Sequence, residues 1–272
     1  MSLYEQLAEL ERNGGSAVLA TIIRDRGSVP RRAGSKMLIY PDGRSEGTIG
    51  GGELESRVTS EARQALVDGR TRTLVYTLSD PEAGDPGLCG GEVEVFIEPV
   101  RPLPTLVVVG AGHVGKAVAH LGRWLGFRVV VSDDRAELAT PEAVPGADLY
   151  LHCALEELPD RLPVTDQTYL VLTTRNVTID AAGLPELLNT PAAYVGVIGS
   201  RRRWETTAQI LRDQGQGAEQ IERVYSPMGL ELNAETPEEI AISILAQIIL
   251  VRRGGSGESM QHRPVAGRGQ TP

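Results

Sequence analysis

The stretch Thr105-Leu106-Val107-Val108-Val109-Gly110-Ala111-Gly112-His113-Val114-Gly115 decides the fold. An apolar, β-forming run passes straight into a Gly-x-Gly-x-x-Gly turn. The chain then continues with Val114, Val118, Leu121 and Leu125 at helical spacing, which marks a face that packs on a sheet. Gly110, Gly112 and Gly115 divide three tasks between them: a tight turn, close approach of backbone to a pyrophosphate, and close packing of helix on strand. A second apolar run, Phe127-Arg128-Val129-Val130-Val131, ends at Ser132-Asp133-Asp134 and sets Asp133 23 residues beyond Gly110. That is where a carboxylate takes up a ribose hydroxyl. Strand, glycine turn, helix, strand and terminal acid in this order read as a Rossmann-type unit for a nucleotide-like ligand. The scaffold alone does not specify any chemistry.

Working outward, 272 residues give room for about two domains with their own cores, and 41% hydrophobic content fits a globular chain. A formal charge of −9 with 4% aromatic residues argues against a nucleic-acid surface, which needs basic patches and stacking rings. The N-terminus opens with Ser2 and Glu5 as a capping box and lacks the basic start and apolar core of a signal peptide, so a cytoplasmic protein is expected. The most apolar segment, Ile240 to Val251, is far short of the roughly 20 residues of a membrane span and is read as a buried helix. Cys89 and Cys153 cannot build a disulfide framework, and neither has the spacing of a zinc site. No metal site is assigned, so any metal would have to arrive with a cofactor.

The predicted class is α/β: a small N-terminal α+β domain followed by a Rossmann-type parallel-sheet domain. Residues 1–100 lack βαβ alternation. They carry an opening helix, an extended stretch from Ser16 to Arg24, a hairpin around Pro41-Asp42-Gly43-Arg44, a helix from about Glu53 to Asp68, and strands near Arg72–Leu78 and Glu92–Glu98. A proline-rich junction at 101–104 separates this domain from 105–254, where apolar strands alternate with helical patterns. The last helix is announced by Thr236 as N-cap, Pro237 at the first position and Glu239 completing a capping box, and it stops at Gly254. Residues 255–272 are expected to be a disordered tail. Because the last helix is apolar nearly all round, self-association as a homodimer is also expected there.

Several residues stand out as candidates for binding. Ser200 is the natural N-cap of a helix that begins Arg201-Arg202-Arg203. Cations at a helix N-terminus are opposed by about 0.3–1 kcal/mol each, so a ligand anion or an acidic partner surface is needed to offset them. The bland alternative is a solvated basic patch or an internal salt bridge. Gly50-Gly51-Gly52 before Glu53 can form an anion-binding nest, although glycine runs also serve ordinary turns. In Leu88-Cys89-Gly90-Gly91 the two glycines leave a thiol accessible, and Cys89 is either a working thiol or a plain loop residue. Cys153 reads as packing. The His113 ring is expected to face the ligand or its cleft. No serine-histidine-acid set, paired catalytic carboxylates or proton relay can be picked out, so a binding protein is favoured over a catalyst.

Six blocks, Gly27-Ser28-Val29-Pro30-Arg31, Gly47 to Glu55, Cys89-Gly90-Gly91-Glu92-Val93, Gly110 to Gly115, Gly199-Ser200-Arg201-Arg202-Arg203 and Thr236 to Ala241, together resemble the XdhC/CoxI family of xanthine dehydrogenase accessory proteins over roughly residues 1–253. The resemblance implies a maturation factor that holds molybdenum cofactor in a sheltered cleft, supports its sulfuration by a cysteine desulfurase, and passes it to a molybdenum hydroxylase apo-enzyme. On this implication Gly50, Gly51, Gly52, Glu53, Gly90, Gly91, Gly110, Gly112, His113, Gly115, Asp133, Ser200, Arg201 and Arg202 bind cofactor, and Cys89 lies near the metal end. Many relatives carry Thr-His-Asp where this chain has Thr173-Thr174-Arg175-Asn176, so a role for that histidine does not transfer. The alternative, motivated by the glycine turn and Asp133, is an NAD(P)-dependent oxidoreductase.

Overall fold

The computed structural model describes residues 2–12, 14–77 and 90–261. The chain divides into two compact units, Met1–Leu103 and Pro104–Pro272. The expectation for the tail falls partly on residues 262–272, which lie outside the described residues.

The first unit runs α1 (Leu3–Arg12), β1 (Ala17–Arg26), β2 (Lys36–Ile39), β3 (Ser45–Gly47), α2 (Gly52–Asp68), β4 (Arg72–Thr77) and β5 (Glu92–Val100). Its strands pair antiparallel in the order β3-β2-β1-β5-β4. Strand β5 shows the period-2 logic of a one-sided sheet: Val93, Val95 and Ile97 are buried, whereas Glu94 and Phe96 between them are half-buried. Helix α2 returns Leu54, Val58, Ala62 and Ala65 to that same core, a stripe at i, i+4, i+8 and i+11. At the start of α1, Ser2 and Glu5 exchange the two hydrogen bonds of a capping box.

The second unit runs β6 (Thr105–Val109), α3 (His113–Trp124), β7 (Arg128–Asp133), β8 (Leu149–His152), α4 (Leu158–Arg161), β9 (Thr168–Leu172), α5 (Val177–Leu188), β10 (Tyr194–Val197), α6 (Arg201–Asp213), α7 (Ala218–Glu222), β11 (Val224–Tyr225) and α8 (Pro237–Arg253). All its strand pairs are parallel, in the order β11-β10-β9-β6-β7-β8. From β6 the chain first winds outward through β7 to β8. It then crosses back to β9 and winds the other way. The order therefore reverses between β6 and β9, and open α/β sheets bind ligands at the carboxyl ends of the strands at such a switch.

The central strands are buried on both faces, which explains why β6 and β9 read as continuous apolar runs rather than alternating ones. Helices α3 and α8 cover one face, packing Val118, Ala119, Ile244, Leu245 and Ile248 on Leu106, Val108 and Val129. Helices α5 and α6 cover the other with Leu184, Leu187, Ala208 and Leu211 on Val107, Leu170 and Leu172. Thr236 and Glu239 form the capping box of α8, and Gly254 ends it at φ 68°. The two polar interruptions in α8 have structural work. Ser243 donates to the Leu230 carbonyl (2.5 Å), and the Gln247 amide oxygen accepts from the Tyr194 hydroxyl (2.6 Å) and the Gly229 amide (2.8 Å). No helix among the described residues is long and apolar enough to cross a membrane.

Candidate functional site

A pocket of about 220 Å³ opens at the switch point, walled by Val109, Gly110 and Gly112 at the end of β6, Asp133, Asp134 and Arg135 at the end of β7, and Thr173, Thr174 and Arg175 after β9. The glycine turn is held from both sides. The Gly110 amide donates to the Ser132 carbonyl (2.8 Å), and the Thr173 hydroxyl donates to the Gly110 carbonyl (2.6 Å). Each glycine can be read by what a methyl group would meet. At Gly110, with φ at 96°, it would lie 2.6 Å from the Thr173 carbonyl oxygen, and at Gly115 it would lie 1.9 Å from the Gly110 carbonyl oxygen. At Gly112 it would meet nothing within 4 Å. Gly110 and Gly115 are thus fixed by packing, and Gly112 is the open position at the N-terminus of α3, where no side chain caps the helix.

Asp133 is where the spacing put it, at the carboxyl end of β7, but its hydrogen-bond capacity is used within the chain. One oxygen accepts from the Arg135 amide (3.0 Å) and Nε (2.9 Å), the other from the Ala111 amide (2.8 Å) and Arg135 Nη2 (3.0 Å). A carboxylate has about four acceptor positions. All four are taken, and the group is 2% exposed. Asp133 therefore ties the glycine turn to β7, and the expected acceptor for a ribose diol is already filled. Its neighbour Asp134 is accessible and pairs with Arg175 through two bonds of 2.6 Å. That guanidinium holds the Asp134 carboxyl below its ordinary range.

The arginine run after β10 is split by its helical phase. Ser200 caps α6 by accepting from the Arg203 amide (3.2 Å), which places Arg203 at the third helical position, facing inward. Its guanidinium reaches fully buried Asp180 of α5 (2.6 Å) and the Thr174 carbonyl (3.2 Å), and the Thr174 hydroxyl donates to the same Asp180 carboxylate. For Arg203 the offsetting anion is internal. Arg201 and Arg202 stay exposed on the first turn of α6, with no ion pair among the described residues.

In the first unit three separated sequence blocks converge. Gly91 sits where a methyl would lie 2.2 Å from the Ser28 carbonyl oxygen, Ser28 bridges Gly90, and Pro30 packs over Gly50. Gly50, Gly51 and Gly52 all have positive φ (134°, 79° and 62°), a path that favours glycine. The nest they form already holds an anion. Glu55 Oε1 accepts from the Thr48 hydroxyl (2.6 Å) and from the amides of Gly51 (2.9 Å) and Ile49 (3.0 Å). Glu53 pairs instead with Arg57 (3.1 Å), and no atom of the described residues beyond the adjoining ones lies within 4 Å of a methyl placed on Gly51 or Gly52.

Burial raises the Glu55 carboxyl pKa, but the Thr48 hydroxyl and the amides of Gly51, Ile49 and Gly50 outweigh it and lower it below the ordinary value. A lowered folded-state pKa contributes stability above the unfolded value, and that contribution is lost as pH falls through the folded value. Wild type is therefore expected to exceed Glu55→Gln by about 1 kcal/mol at pH 7, a partly exposed charge-assisted set. The gap should narrow as the pH is lowered below about 4.3. Urea melts at several pH values check this, and a gap independent of pH contradicts it.

Of the residues singled out from sequence, the structure brings Gly110, Gly112 and Asp133 to one pocket, with Gly115 behind them. His113 departs from expectation. As the first residue of α3 it is exposed and borders a different groove, with Lys116, His120, Pro237 and Ile242, on the α3–α8 side. Its ring points away because the helix begins immediately after Gly112, so position 113 already follows helical phase. Ser200, Arg201 and Arg202 stand at the end of β10, two strands from β6. Gly50 to Glu53, Gly90 and Gly91 belong to the first unit, and Cys89 lies outside the described residues. Cys153 is 7% exposed beside Ser132 (3.4 Å).

Sequence reading missed Asp134, Arg175, Asp180 and Glu55. Arg175 had a signal, since it occupies the place where this chain departs from Thr-His-Asp. Asp180 had none, because one acid in a helical turn is ordinary. Among the described residues no group of three or more His, Cys, Asp or Glu could hold a metal.

Comparison with known proteins matches residues 106–248 to the XdhC Rossmann domain and residues 10–77 to the XdhC and CoxI family. The chain is 35% identical to the uncharacterized protein YqeB of Escherichia coli (strain K12) over 96% of its own length, and it spans 48% of that protein. It is 25% identical to a probable xanthine dehydrogenase component of Bacillus subtilis (strain 168), covering 93% of this chain and 98% of that one. To the molybdenum cofactor insertion chaperone PaoD of Escherichia coli (strain K12) it is 24% identical, covering 88% and 85% respectively. With both of its units matched in order, and the XdhC Rossmann domain spanning more than half its length, this chain belongs to the XdhC and CoxI family.

Proposed function

We propose that this protein is a maturation factor that binds molybdenum cofactor, supports its sulfuration by a cysteine desulfurase, and delivers it to a molybdenum hydroxylase of the xanthine dehydrogenase type. The observation that carries the reading is the saturated Asp133. The pocket keeps the open backbone of a phosphate cradle at Gly112, while the carboxylate that would bind the ribose of NAD(P) is committed to Ala111 and Arg135. That combination suits a phosphorylated pterin better than a dinucleotide. The chaperone PaoD among the relatives points the same way.

The residues present fit such a ligand. In the second unit, uncovered backbone at Gly112 and the exposed guanidiniums of Arg201 and Arg202 suit an anion. In the first unit the Gly51 amide is already given to Glu55, which leaves Gly52 as the uncovered glycine of the nest, while Gly91 packs closely on Ser28. When bound, the cofactor would bring the molybdenum centre that the client enzyme uses. Arg201 and Arg202 would meet the ligand's phosphate or the acidic face of the client, and Cys89 would lie near the metal end. Self-association would use α8, where Ile242 and Ile249 are exposed.

Equilibrium dialysis with anaerobically released cofactor tests the reading. Wild type should retain cofactor, and Arg201→Ala with Arg202→Ala should weaken retention by about tenfold if both cations face the ligand. NAD(H) and NADP(H) should bind weakly or not at all. Tight NAD(P) binding without cofactor retention would favour an oxidoreductase instead.

A further inference from the structure

The Arg175–Asp134 pair crosses the pocket. Asp134 follows β7 and Arg175 follows β9, and the strand between them is β6, which ends in the glycine turn. Their two bonds of 2.6 Å therefore join two walls of the pocket that Gly112 also lines.

Three arginines at this end of the sheet make ion pairs, and they are not equivalent. Arg203 is locked to fully buried Asp180. Arg135 is locked to Asp133, whose side chain is 1% exposed, through two guanidinium bonds. Arg135 also lies 3.9 Å from Asp134, but its guanidinium hydrogen bonds go to Asp133; of the three, Arg175 is the one whose hydrogen-bonded partner is accessible, with side-chain exposures of 48% and 36% in the pair. An accessible pair of this kind shifts an equilibrium by less than about tenfold, so it is the ionic contact that a ligand can exchange at low cost. The backbone on either side of Arg175 is fixed, because Arg203 holds the Thr174 carbonyl and Asn176 caps α5 by accepting from the Ile179 amide (3.0 Å). The guanidinium can thus change partner while its base stays in place.

We propose that Arg175 is the residue that recognises a phosphate monoester in this pocket, and that Asp134 is an internal carboxylate that occupies the guanidinium until a ligand phosphate replaces it. The forked geometry suits the exchange, since guanidinium makes the same paired bonds to carboxylate and to phosphate. The clasp selects by charge. A dianion competes with Asp134, whereas a neutral ligand of the same shape leaves the pair closed across the opening. The inference deepens the functional reading above and rests on it for the identity of the natural ligand, but its test does not.

The probe is phenyl phosphate, titrated calorimetrically at pH 8 and constant ionic strength into the full chain. Arg175→Ala should weaken binding by about tenfold or more, the scale of a lost charge-assisted contact. Asp134→Asn should tighten it several-fold, because the internal competitor is gone. The decisive measurement is the cycle of both changes together. If Asp134 acts through Arg175, its removal brings no gain in the Arg175→Ala background. A gain that persists there means simple removal of negative charge and overturns the clasp, as does an absence of binding by both wild type and Asp134→Asn. Both positions are exposed, so folding should survive each change, and circular dichroism melts verify that. The expected pattern in a protein that fails to retain molybdenum cofactor would leave the clasp standing and remove the functional reading. Cofactor retention with a flat phenyl phosphate series does the reverse.

Discussion

Asp180→Ala is expected to lower the unfolding free energy by about 3 kcal/mol, the low end of the cost of breaking a buried pair, because the Arg203 side chain keeps 20% exposure. The carboxylate is fully buried and accepts from Arg203 Nη2 at 2.6 Å and from the Thr174 hydroxyl, while Arg203 Nε has no hydrogen-bond partner among the described residues. Truncation would leave the guanidinium with only the oxygens of Thr174. It would also release the corner that carries Arg175, so loss of stability and loss of phosphate recognition should appear together. Removing both ends of the pair, as in Asp180→Leu with Arg203→Met, should recover a good part of the stability, because two apolar side chains need no desolvated charge. Urea unfolding measures the set. A loss below about 1 kcal/mol for the single change would mean that water, to which the Arg203 side chain is 20% exposed, replaces the carboxylate without cost, and would contradict this.

The second large effect is expected at the glycine turn. Gly115→Ala puts a methyl 1.9 Å from the Gly110 carbonyl oxygen and 2.9 Å from the Thr173 hydroxyl oxygen. Both neighbours are anchored, one as backbone and the other as a bonded side chain, so α3 must lift from β6. Overpacking of this sort costs typically about 1–3 kcal/mol and more where the neighbour cannot move. Gly112→Ala is the informative contrast. Nothing stands within 4 Å of its methyl and its φ is −72°, so stability should fall by no more than about 1 kcal/mol, the difference between glycine and alanine at an N-cap. Ligand binding should nevertheless fall sharply, because the methyl occupies the approach to the backbone. Equal stability losses at the two positions would contradict this division of labour.

Much of the architecture was legible because periodicity, caps and turns carry it locally. The β6–α3–β7 unit was readable from its glycines and from apolar runs that both sheet faces demand. Helix α8 was readable at both ends from Thr236, Glu239 and Gly254. The short strand β11 was not, since Val224–Tyr225 has no periodicity of its own and exists by pairing with β10.

The candidate site was less legible, and the reason is partner choice. Spacing located Asp133 at the end of β7 but could not say that Arg135 and Ala111 would use all its acceptors. The three arginines after β10 looked alike in sequence, and only the phase set by Ser200 turns Arg203 toward Asp180 while leaving Arg201 and Arg202 outside. The Gly50–Gly52 nest was recognised as a place for an anion, but its occupant, Glu55, comes from the first turn of the helix that the glycines open. His113 was read as facing the ligand or its cleft because it lies inside a glycine motif, whereas the first helical position already follows the helix and borders the α3–α8 groove. Contacts across long sequence separations, such as Arg175 with Asp134, are fixed by sheet order, which the local pattern does not encode.

The central claim, that this member of the XdhC and CoxI family holds a phosphorylated molybdenum pterin, is tested most directly by what the protein carries from the cell. Purified anaerobically from cells that make the cofactor, it should yield molybdenum by elemental analysis together with a phosphorylated pterin by mass spectrometry, and both should decline in Gly112→Ala. Recovery of NAD or NADP in place of the pterin, with molybdenum at background, would contradict the account.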